Sequence, residues 1–212
     1  MHSAQLIYIM DPMCSWCWGF SPVMQQVIEQ AQAAGVKVSL RVGGLRTGSQ
    51  ALLDDSKRAY ILQHWRAVAE ASGQPFNFAE ALPSGFVYNT EPACRALVVA
   101  RKLDDKRLFG FLQSLQQAFY QHAQDITQAA VLRELAEQSG YDSTAFCLAF
   151  DAVETQAATQ AEFAWVSNLA VRGFPTLLAE NQQQYALITN GYQPYTALEP
   201  LLSRWMSMNV SA

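Results

Sequence analysis

The two cysteines of Cys14-Ser15-Trp16-Cys17 stand where a short apolar run gives way to helical periodicity, and that placement constrains the chain more than any other feature. The run from Gln5 to Met10 is apolar and β-prone and is halted by Asp11-Pro12, so it reads as a buried strand. From Ser15 onward Phe20, Val23, Met24, Val27, Ile28 and Ala31 recur at helical spacing until Gly35, a good stop. Two intervening residues in a helical turn bring the sulfurs close enough for a small, reversible disulfide ring. The first cysteine falls at the helix N-terminus, where unpaired N–H groups and the positive end of the helix dipole favour a thiolate. Cys14 is therefore the candidate nucleophile and Cys17, one turn inside, the candidate resolving thiol.

A paired-cysteine motif is also half of a zinc site. Zinc would need two further ligands, yet Cys94 and Cys147 are solitary and His2, His64 and His122 lack the spacing of a ligand pair, so no metal is expected. Cys94 and Cys147 lie among Ala, Leu and Phe and read as buried core thiols. Four cysteines in 212 residues are too few for a disulfide scaffold. The chain opens Met-His-Ser-Ala-Gln with no Lys or Arg before Lys37, unlike a secretory signal, and the expected location is the cytoplasm. No apolar run approaches the roughly 18 residues of a membrane span. A net charge of −4 with scattered basic residues argues against nucleic acid or an anionic membrane as partner. Half of the residues are hydrophobic and 15% are charged, which supplies a core and excludes a disordered chain.

Residues 36–42 alternate apolar and polar before Gly43-Gly44, a second strand that completes a β-α-β unit with a parallel sheet. Gly43-Gly44-Leu45-Arg46 reads as a strand exit. From about Asp54 to Glu154 no convincing strand occurs. Helical faces recur there instead: Ile61, Trp65, Val68; Leu108, Leu112, Leu115, Phe119; and Val131, Leu132, Leu135. Thr90-Glu91-Pro92 reads as a helix start, and Thr159 with Glu162 has the spacing of a capping box. Two β-prone runs, 176–179 and 185–188, flank a polar turn from Glu180 to Gln184, and a last helix runs from about Tyr195 to Met206. Trp18 and Phe20 suit core anchors, whereas Trp16, between the cysteines, suits an exposed apolar lip. Asp11 either perturbs Cys14 or caps the turn at the strand end. The histidines are assigned no role.

The segment Asp11-Pro12-Met13-Cys14-Ser15-Trp16-Cys17-Trp18-Gly19-Phe20, with Gly173-Phe174-Pro175-Thr176 downstream, resembles the DsbA-like thioredoxin superfamily, in its cytoplasmic branch. Agreement extends to residues 89–96, to Ala118-Phe119-Tyr120 and to Asp125-Ile126-Thr127. The resemblance implies an α/β thioredoxin-like core (β-α-β, then α-β-β-α) carrying an all-helical insertion. Residues 1–53 and 156–212 would form the core and 54–155 the insertion. By matching position Cys14 becomes the attacking and Cys17 the resolving cysteine. Pro175 becomes a cis-proline preceded by Phe174, on a loop whose backbone meets an extended substrate beside Ser15 and Trp16. The implied function is a dithiol-disulfide oxidoreductase, a reductase or isomerase acting on a disulfide-containing protein or a small-thiol substrate. Glutathione or a thioredoxin system would be its electron partner, and no organic cofactor is needed.

Two departures stand out. The dipeptide between the cysteines is Ser-Trp rather than the Pro-His of periplasmic oxidases, and the residue before the proline is a bulky Phe. Because the intervening residues tune thiolate stability, a strong oxidase role does not follow. One alternative is a glutathione-dependent transferase or isomerase of the kappa-class or hydroxychromene-carboxylate isomerase type, using Cys14 alone. Cys17 argues against that branch. The other is a non-enzymatic metal-binding or chaperone module.

Overall fold

The computed structural model describes residues 4–209 of the 212; residues 1–3, His2 among them, and 210–212 lie outside the described residues. Strand β1 (Gln5–Met10) takes an inner position in a four-stranded sheet because five of its six residues are apolar enough to be buried on both faces. It is followed by α1 (Ser15–Ala33) and β2 (Lys37–Val42), which pairs with β1 in parallel. β3 (Thr176–Asn181) pairs antiparallel with β1, and β4 (Gln184–Asn190) antiparallel with β3, giving the order β2-β1-β3-β4. The sheet is thus mixed: its β-α-β part is parallel and its β3–β4 hairpin antiparallel, as the two sequence patterns suggested. The last element of the described residues is α8 (Tyr195–Asn209).

Between β2 and β3 lie α2 (Asp55–Ser72), α3 (Glu91–Asp104), α4 (Leu108–Tyr120), α5 (Ala129–Gln138), α6 (Ser143–Asp151) and α7 (Val153–Asn168), with a single 3-10 turn before α4. One continuous core joins them to the sheet, including Tyr8, Phe20 and Leu40 together with Trp65, Leu97, Phe111 and Phe146. An aromatic cluster of Trp65, Phe76, Phe119 and Tyr120 packs α2 against α4, and Trp18 stacks on Tyr120 at 6.0 Å to bring α1 into it.

Helix α1 contains Pro22, which cannot donate a hydrogen bond to the carbonyl of Trp18. That carbonyl is instead satisfied from outside the helical ladder, by the Ser21 hydroxyl at 2.9 Å and the Gln74 side-chain amide at 3.1 Å. Three local features differ from the sequence expectation. The β3–β4 turn is tighter, with only Gln182 and Gln183 between the strands, both at positive φ (49° and 64°) as in the turns whose twist suits hairpins. α7 starts at Val153, so Thr159 and Glu162 are not its cap; Thr159 is mid-helix and donates its hydroxyl to the Thr155 carbonyl at 2.8 Å. Cys147 is half-buried rather than a core thiol.

Glu162 faces the sheet. Its carboxylate accepts the Val42 backbone N–H at 3.1 Å and pairs with Arg101, whose guanidinium also donates to the Leu40 carbonyl at 2.8 Å. Side chains from α3 and α7 therefore occupy backbone groups on the outer edge of β2. Glu162→Ala is expected to lower stability by about 2–3 kcal/mol, because it strands a partly buried guanidinium and an edge N–H. Urea denaturation measures this, and a loss under about 0.5 kcal/mol, the size of an ordinary exposed pair, would show that the contact is superficial.

Candidate active site

Cys14 is the N-cap of α1, in extended conformation (φ −83°, ψ 115°), and no acidic residue occupies the first turn to compete for the helix's positive end. Its carbonyl accepts the N–H groups of Cys17 at 2.9 Å and Trp18 at 3.1 Å, and its own N–H closes a turn onto the Asp11 carbonyl at 3.1 Å. Cys14 keeps 6% of its surface exposed and Cys17 none, so only Cys14 can meet an incoming disulfide. Both are free thiols. Burial pushes the Cys17 thiol well up, and the neighbouring Cys14 adds to the effect, so Cys17 holds its proton until it is called on to attack.

Opposite Cys14 lies the loop that leads into β3. The Phe174–Pro175 peptide bond is cis, and the Cys14 thiol points at the Phe174 carbonyl at 3.5 Å. The Pro175 carbonyl is engaged by the Gly191 N–H at 2.7 Å, leaving the Phe174 carbonyl as the group of this pair that faces the thiol. Phe174 is half-buried, and its ring fills the space that a Cβ on residue 43 would need, so Gly43 is the residue that lets the loop close on the end of β2. Gly43→Ala is expected to cost about 1–3 kcal/mol and to displace the loop, slowing disulfide exchange. Thermal melts with a parallel activity assay test this; unchanged values in both would mean that the ring moves aside freely.

Ser15 and Trp16 are half-buried beside Cys14. Trp16 is not a free lip: its ring packs on Tyr192 at 5.7 Å, at the start of the segment leading to α8. Trp18 and Phe20 are core residues, 2% and 0% exposed, and Trp18 donates its indole N–H to the Pro75 carbonyl at 3.0 Å. His64 and His122 are exposed.

Sequence reasoning left Asp11 undecided and did not foresee what it joins. The side chain is fully buried. One carboxylate oxygen accepts the Met13 N–H at 2.8 Å; the other accepts the Leu45 N–H at 2.7 Å and faces the Cys94 thiol at 3.4 Å. It thus pins the loop before the cysteines to the exit of β2 and to α3. Thr90, at the start of α3, offers no cap hydrogen bond to its own helix; its hydroxyl accepts the Arg46 N–H at 3.2 Å instead. Tyr88 donates to the Met13 carbonyl at 2.6 Å and completes the support. Burial raises the acid groups around this point, Tyr8, Tyr88, Tyr120 and Cys94, so they remain protonated and uncharged. Only the Asp of Asp11-Pro12 signalled this node. Its distant partners, Leu45 and Cys94, lie 34 and 83 residues away, and nothing in the sequence joins them to it.

Among the described residues no group of three or more His, Cys, Asp or Glu side chains is arranged to hold a metal ion, and no helix is long and apolar enough to cross a membrane.

The family model of the DSBA-like thioredoxin domain matches residues 5–203. A Nitrosomonas europaea protein, provisionally called a protein disulfide isomerase, superposes with a TM-score of 0.89 at 39% identity, covering 98% of this chain and 99% of that one. The cytosolic disulfide reductase DsbM from Pseudomonas aeruginosa superposes with a TM-score of 0.79 at 27% identity, covering 95% and 98%; DsbM has also been solved with GSH. The ClpXP adapter protein SpxH of Bacillus subtilis is 23% identical over 205 residues, which cover 93% of this chain and only 66% of that protein.

Proposed function

This chain belongs to the DSBA-like thioredoxin domain family, and on that premise we propose that it is a dithiol-disulfide oxidoreductase working as a reductase or isomerase through Cys14 and Cys17. The observation that carries the reading is the arrangement of the two sulfurs. One stands at a helix N-terminus with limited exposure, facing the loop of Pro175, and the other is fully buried one turn behind it. The Cys14 thiolate attacks one sulfur of a substrate disulfide; that S–S bond breaks, a mixed disulfide forms, and the departing thiolate takes up a proton. Cys17 then loses its proton and attacks the Cys14 sulfur. The reduced substrate leaves and a Cys14–Cys17 disulfide remains, two electrons having passed to the substrate. An external thiol, glutathione or a thioredoxin system, returns the pair to the dithiol, or as an isomerase the enzyme lets another substrate thiol resolve the intermediate.

Phe174, Pro175, Ser15 and Trp16 form the surface against which the substrate backbone lies, with the Phe174 carbonyl the acceptor nearest the reacting sulfur. The same reading takes residues 54–155 as a helical insertion in a core built from 1–53 and 156–212, and places the protein in the cytoplasm, as for DsbM. A disulfide-containing protein or small thiol is the substrate class, and the DsbM complex with GSH supports glutathione as electron partner. A single-cysteine glutathione transferase or isomerase would leave Cys17 without a part to play.

The deciding experiment equilibrates the protein in glutathione redox buffers, alkylates the free thiols and weighs the products. A single two-electron transition that protects Cys14 and Cys17 together is expected, between about −270 mV, typical of a thioredoxin-like reductant, and about −180 mV, typical of an isomerase. Absence of an intramolecular disulfide at every poise would overturn the dithiol mechanism.

A further inference from the structure

Away from the cysteines, α1 and α4 enclose a cleft of about 470 Å³, within the usual range for small-molecule sites. Its lining is unusual. Seven of its seventeen residues are glutamines, one is a carboxylate, Glu29, and none is Lys, Arg or His. The glutamines differ in what they are doing. Gln74 spends its amide N–H groups on Trp18 and Ser21, and Gln25 donates to Glu29. Gln116, on α4, is 1% exposed, and neither its Nε2 nor its Oε1 has a partner among the described residues. A buried carboxamide with donor and acceptor both idle is a rare and costly state, and native structures retain such groups where something else completes them.

We propose that this cleft is a second binding site, for a small neutral molecule that presents an N–H donor and an acceptor side by side. Primary amides, lactams and nucleobases carry that edge. Gln116 offers the complementary pair, so the two can join through parallel hydrogen bonds, as glutamine does with an adenine edge. Ile28, Phe109 and Leu112 supply apolar wall for the body of the ligand. Anions are excluded: no cation is present to neutralise them, and Glu29 repels them. The site contains neither reactive cysteine nor the Pro175 loop, although Tyr8 and Trp18 in its wall lie next to Cys17.

The test uses benzamide and benzoate, which share a shape but differ in charge and in the donor. In the 212-residue chain followed by ¹⁵N-edited NMR, benzamide should give saturable shifts on α1, α4 and the Gln116 side-chain amide, and benzoate none. Q116L should weaken benzamide binding by about tenfold or more, with unchanged circular dichroism and unchanged disulfide-exchange rate. Q116M, which keeps the size but removes both donor and acceptor, should weaken it as well. Benzamide shifts that do not saturate, benzoate binding as well as benzamide, or benzamide binding unchanged by Q116L would each overturn the proposal.

Discussion

Cys14→Ser is expected to abolish disulfide-reductase turnover, down to the uncatalysed thiol-exchange background, without a matching loss of stability. A hydroxyl is no thiolate, and Cys17, with no exposed surface and its thiol pushed up by burial, cannot take over the attack. Reduction of a chromogenic disulfide by the purified variants measures the effect. The companion change, Cys17→Ser, leaves the first attack intact and removes the second, so mixed disulfides with substrate or glutathione accumulate on Cys14 and are visible by mass. Full turnover by Cys14→Ser would end the mechanism. Full turnover by Cys17→Ser in glutathione would replace it with a single-cysteine one.

For stability the largest effect is assigned to Asp11→Asn, about 3 kcal/mol at neutral pH. The amide keeps the shape but has one acceptor where the carboxylate has two, so it turns an N–H toward a backbone N–H of Met13 or Leu45 and leaves a buried donor unpaired. A pH dependence follows from the direction of the Asp11 shift. Burial pushes its carboxyl up from the ordinary value of 3.8, with the hydrogen bonds from Thr90, Leu45, Met13 and Cys94 opposing. Between that value and the raised one the folded state holds more proton than the unfolded state. This group's contribution is therefore fully present below the ordinary value and is lost as the pH rises through the raised one. Asn carries no such proton, so the deficit of the variant should widen as the pH is lowered toward 4. Urea melts of both proteins across the acid range check this, and a deficit that narrows instead would mean that the charged form is the one the fold prefers.

How legible all this was depended on distance along the chain. The motif, the strand before it and the helix after it are local, and Gln5–Met10 is the strand that the run of apolar residues describes. The order of elements followed from periodicity in the same way. What the sequence hid was settled by residues far apart. Nothing near Gly43 says that an aromatic ring 131 positions later will lie where its side chain would be. Pro22 announces a missing hydrogen bond, but not that Ser21 and Gln74 will supply it to Trp18. At Gln182-Gln183 the turn takes positive φ without Asn or Gly, because pairing of β3 with β4 overrides the local preference. Thr159 and Glu162 had the spacing of a cap, yet tertiary contacts drew Glu162 to Arg101 and the edge of β2.

That last contact also decides how the molecule can be built upon. A sheet of order β2-β1-β3-β4 has two margins, and at one of them a carboxylate and a guanidinium already hold the Val42 N–H and the Leu40 carbonyl. An added strand, whether in a fusion designed to lengthen the sheet or in a dimer joined strand to strand, would first have to evict both. Extension on that side is blocked by groups that already occupy the strand's hydrogen-bonding positions, and a graft meant to continue the sheet belongs against β4.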